Sequence, residues 1–172
     1  MKYLWLLVLV LTFSCKEQEH KKEVATLSDP EISSETLEVY DFDGLQKFLN
    51  TTDDKVHVVN FWATWCKPCV KELPYFEQIN EKYKGDVEVL LVSLDFPSKY
   101  ETKLKPYIKE KKLQSKVVAL DDVNSNVWIP KVDEEWTGAI PATIIFTKDK
   151  RKFYEQSFDY TELENEIKQF LK

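Results

Sequence analysis

The chain has 172 residues, with 24 Lys or Arg against 30 Asp or Glu and a net charge of −6. That acidic balance argues against a nucleic-acid partner, because neutralising phosphates needs a basic face. Three cysteines and two histidines also leave little for a metal site, since structural zinc commonly takes four such ligands, and none is expected.

Met1 to Ser14 has the make-up of a targeting segment. Lys2 is a short positive start, and Tyr3 to Leu11 is an unbroken apolar run. The run is too short for a bilayer-spanning helix, which needs about 20 apolar residues, and has the length of a secretory core. Cys15 follows directly. The stretch resembles a bacterial lipoprotein signal, which implies that Cys15 becomes a lipidated N-terminus and places the protein outside the cytoplasm on a bacterial membrane, periplasm-facing. Thr12 and Phe13 depart from the usual pattern, and an ordinary signal peptide that contains Cys15 is the alternative. Removing residues 1–14 takes away Lys2 alone, leaving 23 basic against 30 acidic residues and a net −7. Residues 15–34 are rich in charge and poor in apolar side chains. They cannot bury enough surface to offset their chain entropy and are expected to be a flexible linker, with His20 a solvated linker residue. Residues 35–172 remain for one domain, within the common size range.

Within that domain, Thr36 to Phe42 alternates apolar and polar and predicts a half-buried strand. Asp43 with Gln46 predicts a helix cap, followed by Leu45, Phe48 and Leu49 at helical spacing. Val56 to Trp62 is apolar on both faces, the pattern of a central strand covered by helices on each side. His57 lies at the start of that strand and is expected to be structural.

Trp65-Cys66-Lys67-Pro68-Cys69 comes next, followed at once by a helical pattern from about Cys69 to Lys82. Leu73, Phe76, Asn80 and Tyr83 form its stripe, with Ile79 beside it. Pro74 predicts a kink and Gly85 a stop. Cys66 is thus expected in a strand-to-helix turn. Two cysteines in one helical turn can close a small disulfide ring, and unpaired N–H groups at a helix N-terminus stabilise a thiolate. The thiolate is the reactive form, and Lys67 adds charge of the same sense. Cys66 is therefore the expected attacking group, and Cys69, deeper in the helix, the resolving one. A structural disulfide or half of a zinc site is the bland alternative.

Val87 to Leu94 predicts another buried strand. Pro97 to Gln114 predicts a helical segment with Tyr100, Leu104, Tyr107 and Ile108 inward. Its lysines (Lys99, Lys103, Lys105, Lys109, Lys111 and Lys112) are expected to be a solvated face. Lys116 to Leu120 is a strand, and Asp121 to Asn126 a turn whose carboxylates lack the spacing of a cation loop. Trp128 to Trp136 is expected to be an apolar loop, its two indoles open between lining a groove beside Cys66 and filling the core. Ala142 to Thr147 and Arg151 to Gln156 are strands, and Thr161 with Glu164 predicts the cap of a last helix carrying Leu163, Ile167, Phe170 and Leu171.

Two separated motifs carry a family resemblance. Phe61 to Cys69, with Pro74 five residues on, resembles the active-site motif of the thioredoxin-like family. Gly138-Ala139-Ile140-Pro141-Ala142-Thr143 resembles its cis-proline segment. The resemblance spans roughly Glu35 to Lys172 and comes nearest to membrane-anchored thiol–disulfide oxidoreductases of the TlpA and ResA type. It implies an α/β, thioredoxin-like three-layer sandwich with a mixed central sheet and a helical insertion. It also implies a redox-active Cys66–Cys69 pair as the only cofactor. Trp65, Lys67, Pro68, Ile140 and Pro141 would position the substrate. Implied partners are disulfides or thiols of substrate proteins, apocytochrome c among them, and a membrane electron donor of the DsbD or CcdA type. Thioredoxin carries a buried aspartate six residues before its first active-site cysteine, whereas this chain has Asn60. Asn cannot accept a proton, so a relay to Cys69 falls to Glu72 or to water. An oxidase or isomerase of the same fold, or a non-catalytic binding module, is the rival reading.

Overall fold

In the computed structural model, residues 36–171 are described. The expected leader, the lipidation site Cys15 and the linker lie outside the described residues.

Strand β2 (Val56–Trp62) is buried at every position, because both of its faces are covered. Val56, Val58 and Trp62 enter one apolar cluster, while Val59 and Phe61 enter the other. That alternation is the two-residue period of a strand. β2 lies centrally in a six-stranded sheet of order β1-β4-β3-β2-β5-β6. β1 (Glu38–Tyr40), β4 (Lys116–Leu120), β3 (Val87–Ser93) and β2 run parallel, whereas β5 (Ala142–Phe146) pairs antiparallel with β2, and β6 (Arg151–Tyr154) pairs antiparallel with β5. The first cluster takes Leu73, Phe76 and Ile79 of helix α2 (Lys67–Lys82), together with Leu163 and Ile167 of α5 (Tyr160–Lys168). The second takes Phe42, Leu45 and Leu49 of α1 (Phe42–Leu49) and Trp128 and Val132 of α4 (Ser125–Val132). The result is the expected three-layer α/β sandwich with a mixed sheet.

Several boundaries differ from expectation, each for a local reason. β1 stops at Tyr40, and the cap of α1 is Asp41, whose Oδ1 accepts the Gly44 N–H at 2.8 Å. Asp43 sits inside the first turn and accepts instead from the Gln46 side chain. The same two-residue shift recurs at α5. Asp159 and Glu162 form the capping box, while Glu164 turns to other partners. α2 begins at Lys67 rather than near Cys69, and its stripe is Cys69, Leu73, Phe76 and Ile79, with Asn80 and Tyr83 at the margin. It ends with Tyr83 as C-cap, Gly85 following at φ 103°.

The segment expected as one helix from Pro97 is composite. A 3₁₀ turn (Pro97–Lys99) leads into a π turn (Tyr100–Leu104) and then α3 (Lys105–Lys111). Pro106 accounts for this, since it lacks an N–H and crowds the preceding turn, and the wider turn relieves that. Tyr100 and Leu104 are buried as predicted, and Tyr107 and Ile108 are half-buried. Five of the six lysines are exposed and Lys105 is half-buried. The expected loop at Trp128 to Trp136 is corrected to helix α4 followed by a loop. Its proline, Pro130, sits inside the helix at the expense of one backbone hydrogen bond. Trp128 and Trp136 are both core residues; their indole N–H groups donate to Asp122 O and Ala139 O.

α5 is tied to α2 through Glu164. Its carboxylate accepts from Lys168, Lys82, Tyr160 and Tyr83, and these bonds, Lys168 and Lys82 foremost, hold the carboxyl well below the usual carboxylate range. A carboxyl depressed in this way adds stability above its unfolded value, about 4.3, and that stability is lost as pH falls toward the native value. Glu164→Gln is therefore expected to lower the urea midpoint at pH 7. The gap from wild type should narrow steadily below about pH 4; a gap unchanged down to pH 3 contradicts this.

Candidate active site

Parallel strands β2 and β3 end side by side, where Leu94 N–H donates to Trp62 O at 2.7 Å. The chain turns there through Ala63 to Trp65 and enters α2, with Cys66 as the N-cap. Cys66 and Cys69 form a disulfide, with S–S 2.05 Å and Cα–Cα 5.3 Å. Cys69 N–H donates to Cys66 Sγ at 3.3 Å, so the helix terminus already directs a donor at the sulfur that would carry negative charge. Cys66 is 6% exposed and Cys69 fully buried. Cys66 thus keeps a little surface and Cys69 none.

The turn is fastened from β3. Asp95, buried, accepts the Thr64 backbone N–H at 2.9 Å, the Thr64 hydroxyl at 2.6 Å and the Ser93 hydroxyl at 2.9 Å. Sequence reasoning passed over Asp95. Its only signal was an acidic residue just past the end of a buried strand.

Across the turn lies the Ile140–Pro141 peptide, which is cis, as the family resemblance implied. Gly138 precedes it at φ 95°, a conformation L side chains rarely adopt. The Ile140 carbonyl oxygen stands 3.6 Å from Cys66 Sγ. The structure thus brings Cys66, Cys69, Ile140 and Pro141 together. Trp65, Lys67 and Pro68 form the exposed rim.

Glu72, one helical turn beyond Cys69, is fully buried. Its Oε1 accepts from Asn60 Nδ2 at 3.0 Å, and its Oε2 from the Ser157 hydroxyl and the Phe158 N–H at 2.9 and 2.8 Å. Burial pushes this carboxyl up, only partly offset by those three donors. Asn60 Nδ2 also donates to Thr143 Oγ1, while Asn60 Oδ1 has no partner among the described residues. The Asn60 side chain is thus linked to Glu72 and carries no titratable group of its own.

His57 lies at the other end of β2. Its Nε2 is 2.7 Å from Asp53 Oδ1, its Nδ1 is 3.8 Å from Glu88 Oε2, and its ring stacks on Phe146. Asp53, His57 and Glu88 bring potential ligand atoms within 4.8 Å of one another. Each ring nitrogen nevertheless faces a different carboxylate, and Glu88 is already paired with Lys55. The arrangement satisfies a buried histidine.

Solved structures share this architecture. A thioredoxin-related protein from Neisseria meningitidis serogroup B superposes with a TM-score of 0.59 at 23% identity, over 70% of this chain and 87% of that one. A secreted Mycobacterium tuberculosis disulfide oxidoreductase superposes with a TM-score of 0.54 at 16% identity, over 72% and 98%. The molecule has the thioredoxin-like fold, with a Cys-x-x-Cys disulfide at the start of α2. In sequence, the thiol-disulfide oxidoreductase ResA of Bacillus thuringiensis subsp. konkukian is 27% identical over 158 residues, 91% of this chain and 79% of the relative. Residues 30–151 match the AhpC/TSA family, and the chain belongs to that family.

Proposed function

We infer that the protein is a thiol–disulfide oxidoreductase that works through Cys66 and Cys69. The observation that carries this is the Cys66–Cys69 disulfide, with Cys66 capping α2 beside the Ile140 carbonyl. In the reduced protein the Cys66 thiolate attacks one sulfur of a substrate disulfide and expels the other as a thiolate. The Cys69 thiolate then attacks Cys66 Sγ, releases the second substrate sulfur and closes Cys66–Cys69. Two electrons pass to the substrate, so each turnover leaves the protein oxidised and in need of a dithiol donor.

The direction is reduction, outside the cytoplasm. The resemblance of the two motifs to membrane-anchored oxidoreductases of the TlpA and ResA type supports it, as does the leader-like segment before Cys15. In the same reading the chain is lipid-anchored through Cys15. A membrane donor of the DsbD or CcdA type re-reduces it, and cysteines of an apocytochrome c are among its substrates. Trp65, Lys67 and Pro68 shape the surface around Cys66, and Ile140 and Pro141 align an incoming chain. Glu72 is the proton relay for Cys69; it rests on being the buried carboxyl one turn along the same helix.

The test is the midpoint potential of the Cys66/Cys69 couple, from equilibration in thiol–disulfide buffers. A value near or below about −250 mV, toward thioredoxin, is expected of a reductase. A value of about −120 to −180 mV would reverse the assigned direction, and the absence of any reversible couple would remove the activity itself.

A further inference from the structure

The exposed large apolar side chains are unevenly placed. Among the described residues they are Val39, Trp65, Phe96, Val123 and Val127. Four of the five follow the C-terminal ends of β2, β3 and β4, the end of the sheet that carries Cys66. The loops at the opposite end hold Asp53, Asp54, Lys55, Lys84, Asp86, Lys148, Asp149 and Lys150 instead. One end of the sheet is built to be wetted, whereas the other presents apolar surface beside a reactive sulfur.

Phe96 is the largest of these side chains outside the Cys-x-x-Cys turn, and it is 65% exposed. Two features hold it beside that turn. Asp95 fastens Thr64 through both backbone and hydroxyl, so Trp65 and Phe96 each follow directly on one half of the same clamp. Pro97 then keeps Phe96 extended, at φ −63° and ψ 143°. The ring is therefore displayed on a backbone already ordered, at little further entropic cost on binding. Cys66 is only 6% exposed, so a substrate sulfur must enter closely, and its neighbouring residues must lie against the rim.

We propose that Phe96 is a specificity-determining residue: with Trp65 it receives an apolar side chain next to the substrate's cysteine. The preferred substrate is then an extended polypeptide segment whose cysteine has an aromatic or large aliphatic neighbour. Such segments are buried in folded proteins, which directs the protein to unfolded or partly folded chains. This inference rests on the exchange activity of the preceding section.

The probes are two synthetic peptides whose single cysteine is disulfide-linked to 5-thio-2-nitrobenzoate. One has leucine and phenylalanine beside the cysteine and the other has serines. The third probe is the symmetrical dinitrobenzoate disulfide. Cys66 attacks the peptide sulfur, the coloured thiolate leaves, and Cys69 then frees the peptide thiol. Reduced wild type is expected to react about tenfold faster with the apolar-flanked peptide, the scale that partial burial of one aromatic ring supplies. Phe96→Ser should erase that preference and leave both other rates unchanged, while Phe96→Leu should keep most of it. Full speed of Phe96→Ser on the apolar-flanked peptide overturns the proposal. So does an equal loss on all three probes, which would mark an effect on Cys66 itself. A wild type inert toward every probe overturns the exchange reading and this proposal with it, whereas the first two outcomes leave that reading standing.

Discussion

Reduced protein carrying Cys69→Ser is expected to stop after one half-reaction, covalently joined to its substrate. Cys66 keeps its place as the N-cap of α2, and the Cys69 backbone N–H that points at its sulfur is unaffected by the side-chain change. The first attack therefore proceeds. Serine at position 69 is fully buried and supplies no thiolate, so nothing displaces the substrate. Turnover with a protein disulfide falls to background while a mixed-disulfide adduct accumulates one to one, visible as a mass increase that dithiothreitol reverses. Cys66→Ser gives neither turnover nor adduct. An adduct formed equally well by Cys66→Ser would place the nucleophile at Cys69 and invert the roles assigned here.

Glu72→Gln carries the second largest expected effect. A buried carboxyl whose pKa is raised ionises over a range above the usual carboxylate values. If it takes the proton from Cys69, the resolving step quickens as pH rises through that range. General acid–base assistance of this kind is worth roughly 10²-fold or more. In Glu72→Gln the resolving step should slow by about that factor and lose this limb of its pH profile, while the first attack by Cys66 keeps its rate. Stopped-flow decay of a preformed mixed disulfide, measured from pH 4 to pH 9, separates the two steps. An unchanged profile would dismiss Glu72 as the relay and leave water. The stability effect is opposite in sign to that at Glu164. A raised native value means that ionisation opposes folding, so the Glu72 contribution weakens as pH climbs from the unfolded value through the native one.

What the sequence revealed best was whatever a single local signal decides. The limits of β2 follow from a run that is apolar on both faces, and the place of Cys66 follows from that strand meeting a helical pattern. Less legible were features decided by competition between similar residues. The expected caps were Asp43 for α1 and Thr161 for α5; in each case an aspartate two residues earlier takes the position. At α1 the earlier cap puts Phe42 into the core, and at α5 it frees Glu164 for Lys82. Helix α4 was hidden by Pro130 and by the turn residues before it, because a proline signals a break wherever it occurs and only the structure shows it near a helix end. The clamp at Asp95 was beyond reach for another reason. It joins Thr64 to a residue just past the end of a neighbouring strand, and no local pattern records which strand ends lie together. Asn60 was noticed as a departure, but its bonds to Glu72 and Thr143 needed the register of β2 against β5.

Both margins of the sheet are short. β1 has three residues and β6 four. Glu38 on the first is paired with Lys116, and the second opens with Arg151 and Lys152. Brief, charged outer strands make poor templates for a foreign chain seeking backbone partners. The exposed large apolar side chains lie instead mostly at the loops around Cys66, away from those flanks.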